Sequence, residues 1–170
     1  MTGPRTGVVR YPGGPIERLL ERGDTVIQDL RARVAHYWSA CANTLVVGVE
    51  PSADRRRCVH AARRAFEATV EALRPGALTG EAIAAARRVF LSEGFDFTPY
   101  CGHQIGAAVN ERPRLVIYDQ TPVQTGMVFA VEPGVYGSEE LGVGARAERV
   151  VVVRESGNEI LSAFTWGMEA

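Results

Sequence analysis

Two stretches of helical periodicity lie next to each other in the middle of this 170-residue chain, with strand-like segments on either side. In the first, Val59, Ala62, Phe66, Val70 and Leu73 recur at steps of three and four and so line one face of a helix. Ser52 or Asp54 can cap its start, and Arg74-Pro75-Gly76 ends it. In the second, Thr79 is placed to cap, Ile83, Ala86, Val89 and Phe90 form the stripe, and Gly94 supplies the stop. A helix with one apolar face must bury it against another layer, and the flanking segments offer a sheet. The expected fold class is therefore α+β, with both helices on one face of a curved antiparallel sheet. The arginines around the first helix (Arg55, Arg56, Arg57, Arg63 and Arg64) read as its solvated face, not as a binding patch.

Residues 1–16, rich in Gly and Pro, read as an irregular lead-in, and 17–170 as a single domain. A short helical turn is expected over Ile16 to Glu21. Strands are expected over Thr25 to Leu30, Val34 to Trp38 and Asn43 to Val49, then over Gln104 to Asn110, Arg114 to Tyr118, Met127 to Glu132 and Ala147 to Arg154. Composition narrows the function. All 19 basic residues are Arg and none is Lys, which excludes a Schiff-base lysine, a pyridoxal phosphate enzyme and a Walker-type phosphate loop. The formal charge of −1 carries no footprint for nucleic acid. No apolar run reaches membrane-spanning length and no signal-like stretch opens the chain, so a cytoplasmic protein is expected. Cys41, Cys58 and Cys101, odd in number and without C-x-x-C spacing, read as reduced thiols.

Four residues stand where chemistry could sit. Asp29 lies inside an apolar strand, where a carboxylate is costly unless paired or coordinated. His103 lies in Cys101-Gly102-His103-Gln104-Ile105-Gly106, among small residues. Glu132 opens Glu132-Pro133-Gly134-Val135-Tyr136, and Glu148 ends Gly144-Ala145-Arg146-Ala147-Glu148. Three carboxylates and an imidazole converging from different strands would make a hard site suited to Mn²⁺, Fe²⁺, Co²⁺ or Zn²⁺. Taken singly, each has a duller reading: an Arg-paired carboxylate, a hydrogen-bonded core histidine, or charges at a strand edge.

Their order is more specific. Gly23-Asp24-x-Val26-Ile27-x-Asp29, Gly102-His103-x-Ile105-Gly106, Val109-x-Glu111-x-Pro113, Gly126-Met127-Val128, Glu132-Pro133-Gly134-Val135-Tyr136 and Gly144-x-Arg146-x-Glu148 follow one another with two helices in the right interval. In this the chain, from about Arg18 to its end, resembles the pita-bread family of methionine aminopeptidases, prolidases (Xaa-Pro peptidases) and creatinase. The Glu-Pro-Gly-Val-Tyr segment is most similar to the prolidase and creatinase branch. The resemblance implies metal ligands at Asp29, His103, Glu132 and Glu148. It also implies catalytic roles for Glu132 (as proton carrier) and His103, and substrate contacts from Asn110 and Arg146.

Departures from the family pattern are as informative. The family's bridging Asp falls at Ala40, in Tyr37-Trp38-Ser39-Ala40-Cys41-Ala42-Asn43-Thr44, and the adjacent Cys41 faces the other way in a strand. Loss of a shared anion removes a donor from each of two ions, so at most one weakly held ion is expected. The early histidine position is Pro12, the substrate-facing histidine is Asn110, and the glycine after the metal histidine is Gln104. Asn110 can hydrogen-bond but cannot shuttle a proton. The resemblance further implies that the family's first helix pair is missing, leaving Val26, Leu45 and Val47, or an alternating subset, exposed. A homodimer or a partner chain would then cover them. Three functions follow. The first is an Xaa-Pro-peptidase-like hydrolase acting on the amide bond of a small peptide or amide-like molecule. The second is a metal-free, creatinase-like enzyme on a small molecule. The third is an inactive descendant serving as a binding or assembly subunit.

Overall fold

A computed structural model describes residues 1–7, 16–96, 100–136 and 143–167. Half of the Gly- and Pro-rich lead-in, residues 8–15 with Pro12 among them, lies outside them. After a short 3-10 turn at Gly3–Gly7 come strands β1 (Thr25–Val34) and β2 (Tyr37–Val46), then helices α1 (Ala53–Ala72) and α2 (Thr79–Ser92). Seven short strands follow: β3 (Gly102–Gln104), β4 (Glu111–Arg114), β5 (Val128–Val131), β6 (Gly134–Val135), β7 (Ala145–Arg146), β8 (Arg149–Val152) and β9 (Glu159–Ile160). Every strand pairing is antiparallel. They form a five-stranded sheet in the order β4-β3-β5-β8-β9 and two ribbons, β1-β2 and β6-β7. The expected α+β class holds.

Alternation along β5 shows how the layers stack. Phe129 and Val131 join Phe66, Ile83 and Phe90 of the helices, and Leu73 just after α1, in the main core. Ala130 points the other way and packs with Ile105, Val150 and, from the hairpin, Ala40. Side chains alternate across a strand, so the sheet presents one face to the helices and the other to the β1-β2 ribbon. His103 is paired with Ala130, and Ala130 with Val150, so all three belong to the ribbon side. Glu132 and Glu148 lie two residues from Ala130 and Val150.

Several boundaries differ from expectation. Residues 25–49 hold one long hairpin in place of three strands, in register from Thr25↔Val46 to Val34↔Tyr37. Its turn is Ala35-His36, both at positive φ (47° and 72°), as a tight primed hairpin turn requires. Neither residue is Gly or Asn, so the turn carries no sequence signal. Ile16 to Glu21 is not helical; Arg18 instead forms a two-bond ion pair with Asp24, at 2.6 and 3.0 Å. Ser52 caps α1 by accepting from the Arg55 N–H. Thr79 is the first residue of α2 and not its cap; its hydroxyl donates to the Asp119 carbonyl at 2.9 Å. The strands expected over 104–110 and 114–118 are β3 and β4, shorter and nearer the N-terminus. A bulge between His103 and Gln104 breaks the register.

Candidate metal centre

The site is built where the hairpin meets the sheet. Asp29 on β1 sits across the ladder from Ala42. Ala42 in turn exchanges two backbone hydrogen bonds with Glu148, both 3.2 Å, so one residue fixes both carboxylates. Glu132 directly follows β5, and its N–H donates to the Cys101 carbonyl at 2.7 Å. Asp29, Glu132 and Glu148 each bring a carboxylate oxygen within 4.8 Å of the others. His103 joins from β3, with Nε2 3.4 Å from Glu132 Oε1. Gly102, at φ 144°, lets β3 lie this close, because a Cβ there would fall 2.2 Å from the Ala130 carbonyl oxygen.

The His103 Nδ1 is 2.9 Å from the Gln104 carbonyl oxygen. A carbonyl only accepts, so Nδ1 carries the hydrogen, and a neutral ring then turns its Nε2 lone pair toward a carboxylate. Two electron-rich atoms facing each other call for a proton or a cation. Glu148 makes the same demand more strongly: it is fully buried and neither oxygen accepts a hydrogen bond. Burial, and then the charges of Glu132 and Asp29, push its carboxyl up to about 8. These orphaned oxygens and the all-carboxylate donor set fit one hard divalent ion. The place of a second ligand Asp is filled by the Ala40 methyl, 1% exposed in an apolar cluster, which offers nothing to a second ion.

Arg146, expected to face substrate, is tied into the site. Its Nη1 lies 2.8 Å from Asp29 Oδ2 and 3.1 Å from Glu132 Oε2, and its Nε donates to the Tyr136 hydroxyl. Burial pushes the Tyr136 phenol up to about 12, so it stays neutral. Asn110 is exposed and outside the carboxylate set. It donates to the Tyr100 hydroxyl at 3.3 Å and accepts from Arg114 Nε at 3.2 Å. The Tyr100 ring centre is 6.4 Å from that of His103, and burial followed by the nearby Glu132 charge raises its phenol pKa. Asn110 thus reaches the site through a tyrosine.

Sequence reasoning passed over Tyr100, Arg31 and Arg149. Arg149 is buried, with its guanidinium 3.5 Å from the Trp166 ring centre and 3.7 Å from that of Phe164. It donates to the Glu148 carbonyl at 2.7 Å and the Ala42 carbonyl at 3.0 Å, so it locks the backbone that aims Glu148. An arginine opening the apolar run Arg149-Val150-Val151-Val152 was the available signal. Burial lowers its pKa to about 10, still charged at neutral pH.

The model of metallopeptidase family M24 matches residues 1–155. An Xaa-Pro dipeptidase of Pyrococcus furiosus is 36% identical over 148 residues, 86% of this chain and 42% of that protein. Among solved structures, the prolidase from Pyrococcus horikoshii OT3 superposes with a TM-score of 0.87 at 31% identity, covering 97% of this chain and 47% of that one. Dipeptidase PepE from Mycobacterium ulcerans superposes at 0.85 with 34% identity, covering 98% and 44%. The chain therefore spans less than half the length of these relatives.

Proposed function

Because the chain belongs to metallopeptidase family M24, we propose that it is an Xaa-Pro-peptidase-like hydrolase that cleaves the amide bond of a small peptide with one divalent ion. The observation that carries this reading is Glu148, buried with neither oxygen hydrogen-bonded and with one of them within 4.8 Å of carboxylate oxygens of Asp29 and Glu132. Asp29, Glu132 and Glu148 would hold Mn, Fe, Co or Zn, with His103 beside Glu132. The ion's contribution would be Lewis acidity and a water acidic enough to ionise near neutral pH. Glu132 would take the proton of the attacking water and return it to the leaving nitrogen, its second oxygen kept in place by Arg146. His103, oriented by the Gln104 carbonyl, would stand on the other side of Glu132 with its Nε2 lone pair turned to the ion. Tyr100, braced by Asn110, would line the substrate side. Among the described residues no helix is long and apolar enough to cross a membrane, and the reading takes the enzyme as cytoplasmic and homodimeric.

The test is proline release from Xaa-Pro dipeptides by the full chain, stripped of metal and reloaded with each ion. Turnover that returns with one equivalent of metal and falls at least about a hundredfold in Glu132→Gln is the expected result. Turnover that survives chelation would shift the reading to metal-free, creatinase-like chemistry. One tightly bound ion with no turnover on any dipeptide would favour the binding subunit. The tight Arg146–Asp29 pair, which occupies a ligand oxygen, is the observation on that side.

A further inference from the structure

Arg31 stands two residues along β1 from Asp29, on the same face of the ribbon, and directly across the ladder from Ala40. Its guanidinium turns back toward Asp29, with Nη1 3.3 Å from Oδ1 and Nη2 3.4 Å from Oδ2. On the other side of the same carboxylate lies Arg146 Nη1, at 2.8 Å. Asp29 Oδ1 is buried and accepts no hydrogen bond, so Arg31 meets that oxygen as a charge and donates a long bond, at 3.4 Å, to Oδ2 alone. The strand partner that could have opposed Arg31 with a carboxylate is Ala40, a methyl group buried against Ile105, Ala130 and Val150.

The formal charges show what such a pocket tolerates. Asp29, Glu132 and Glu148 bring three negative charges, and Arg31 and Arg146 two positive ones. One divalent ion leaves a single excess positive charge, which a bound hydroxide would neutralise. Two ions leave three, in a pocket whose carboxylates are largely removed from water. Buried charge of that size is not sustained without partners. Replacing Ala40 by Asp and Arg31 by Ser restores the single excess charge with two ions bound.

We propose that Arg31 is a resident cation of the centre, taking the place of a second metal ion, and that the cross-strand pair Arg31/Ala40 sets the site to one ion instead of two. The inference rests on the reading that Asp29, Glu132 and Glu148 hold a divalent ion, but it concerns residues outside that set and is read without turnover. The fixed guanidinium compensates Asp29 at all times, whereas an exchangeable ion would do so only when bound.

The experiment is calorimetric titration of the chelator-stripped full chain with MnCl₂, with electron paramagnetic resonance of the loaded samples. Wild type should take one Mn²⁺ with the spectrum of an isolated ion. Arg31→Ser should still take one, about tenfold more tightly, because one like charge a few ångströms from the ion has gone. Ala40→Asp alone should also stay at one ion, its new carboxylate paired with Arg31. Arg31→Ser with Ala40→Asp should take two, with the broadened signal of a coupled pair. Arg33→Ser, one pleat farther along the same face, should stay within about twofold of wild type, since its charge is exposed and screened. Circular dichroism checks folding, and Arg31→Gln, which keeps a long polar side chain, replaces Arg31→Ser if that variant unfolds. Two ions in Ala40→Asp alone, or one in the folded double variant, would overturn the role of Arg31. If wild type binds none but the double variant binds two, the Arg31 assignment stands and the one-ion hydrolase falls. If both bind one, the reverse holds.

Discussion

Glu148 shows how a single side chain can make a fold depend on what the pocket contains. With no hydrogen bond to either oxygen and two carboxylates nearby, the metal-free protein accommodates it best as the neutral acid. Its carboxyl is raised from the ordinary 4.5 to about 8. Below 4.5 it is protonated in both folded and unfolded chains, and its contribution to stability is fully present. As pH rises toward 8 the unfolded chain ionises while the folded one keeps its proton, so stability falls, levelling off above 8. Metal-free protein should therefore show a lower denaturation midpoint at pH 8 than at pH 5, and Glu148→Gln should remove most of that slope. An equal slope in the variant would mean that another group carries the effect. The carboxylate cluster and the histidine beside it were legible in the sequence because Asp29, His103, Glu132 and Glu148 each sit beside a Gly, a Pro or an apolar run. Arg31 was not, since an arginine on a hairpin strand looks like any solvated charge. Its importance comes from β1-β2 pairing that places it opposite Ala40.

Among elements, the two helices were readable nearly to their ends, because apolar stripes running along helices of twenty and fourteen residues leave little freedom of register. The short strands were not: β3 and β4 hold three and four residues, and pairing across the sheet sets their limits. The start of α2 shows what a local reading misses. Leu78 provides no side-chain cap; the Thr79 N–H donates to the Thr121 carbonyl at 3.1 Å, and the Thr79 hydroxyl reaches Asp119, forty residues on. Its carboxylate accepts from the Thr79 hydroxyl at 3.1 Å, the Arg114 N–H at 3.0 Å, and the Thr121 N–H and hydroxyl at 3.0 and 2.6 Å. Burial works to raise its pKa, but these bonds outweigh burial and hold it at about 2, below the ordinary 3.8. The linkage has the opposite sign from that of Glu148. The Asp119 contribution is present above 3.8 and is lost as pH falls through about 2. Asp119→Ala should cost about 1–2 kcal/mol at neutral pH, the scale for deleting a multiply bonded, half-exposed acceptor. It should also flatten acid unfolding between pH 4 and 2, as followed by circular dichroism. On the core side, Phe129→Ala, which empties a fully buried ring site against the helices, should cost about 3–5 kcal/mol in the same assay.

At the scale of the whole molecule, the ribbon β1-β2 has two faces with different fates. The inner one carries Asp29, Ala40 and Ala42 toward the sheet. The outer one presents Val34 at 75% exposure, Tyr37 at 68% and Leu30 at 53%, with Leu45 farther along, while Val26 and Val47 are half-buried. Val34 and Tyr37 are cross-strand partners, as are Val26 and Leu45, so the exposed groups form one band along the ribbon. A band of this kind covers a few hundred Å², and its burial at about 25 cal/mol per Å² is worth several kcal/mol. That is enough to drive association once a second set of contacts shares the cost of lost rotational and translational freedom. Identical bands can pair about a two-fold axis, and two such ribbons packed face to face leave the carboxylate clusters on their inner sides clear of the interface. The chain should therefore sediment as a homodimer at micromolar concentration. Tyr37→Glu should return it to monomer without lowering its thermal midpoint, because the ring makes little contact within its own chain. A wild-type monomer that binds no hydrophobic dye would show that this face needs no partner, and a Tyr37→Glu variant that remains dimeric would place the interface elsewhere.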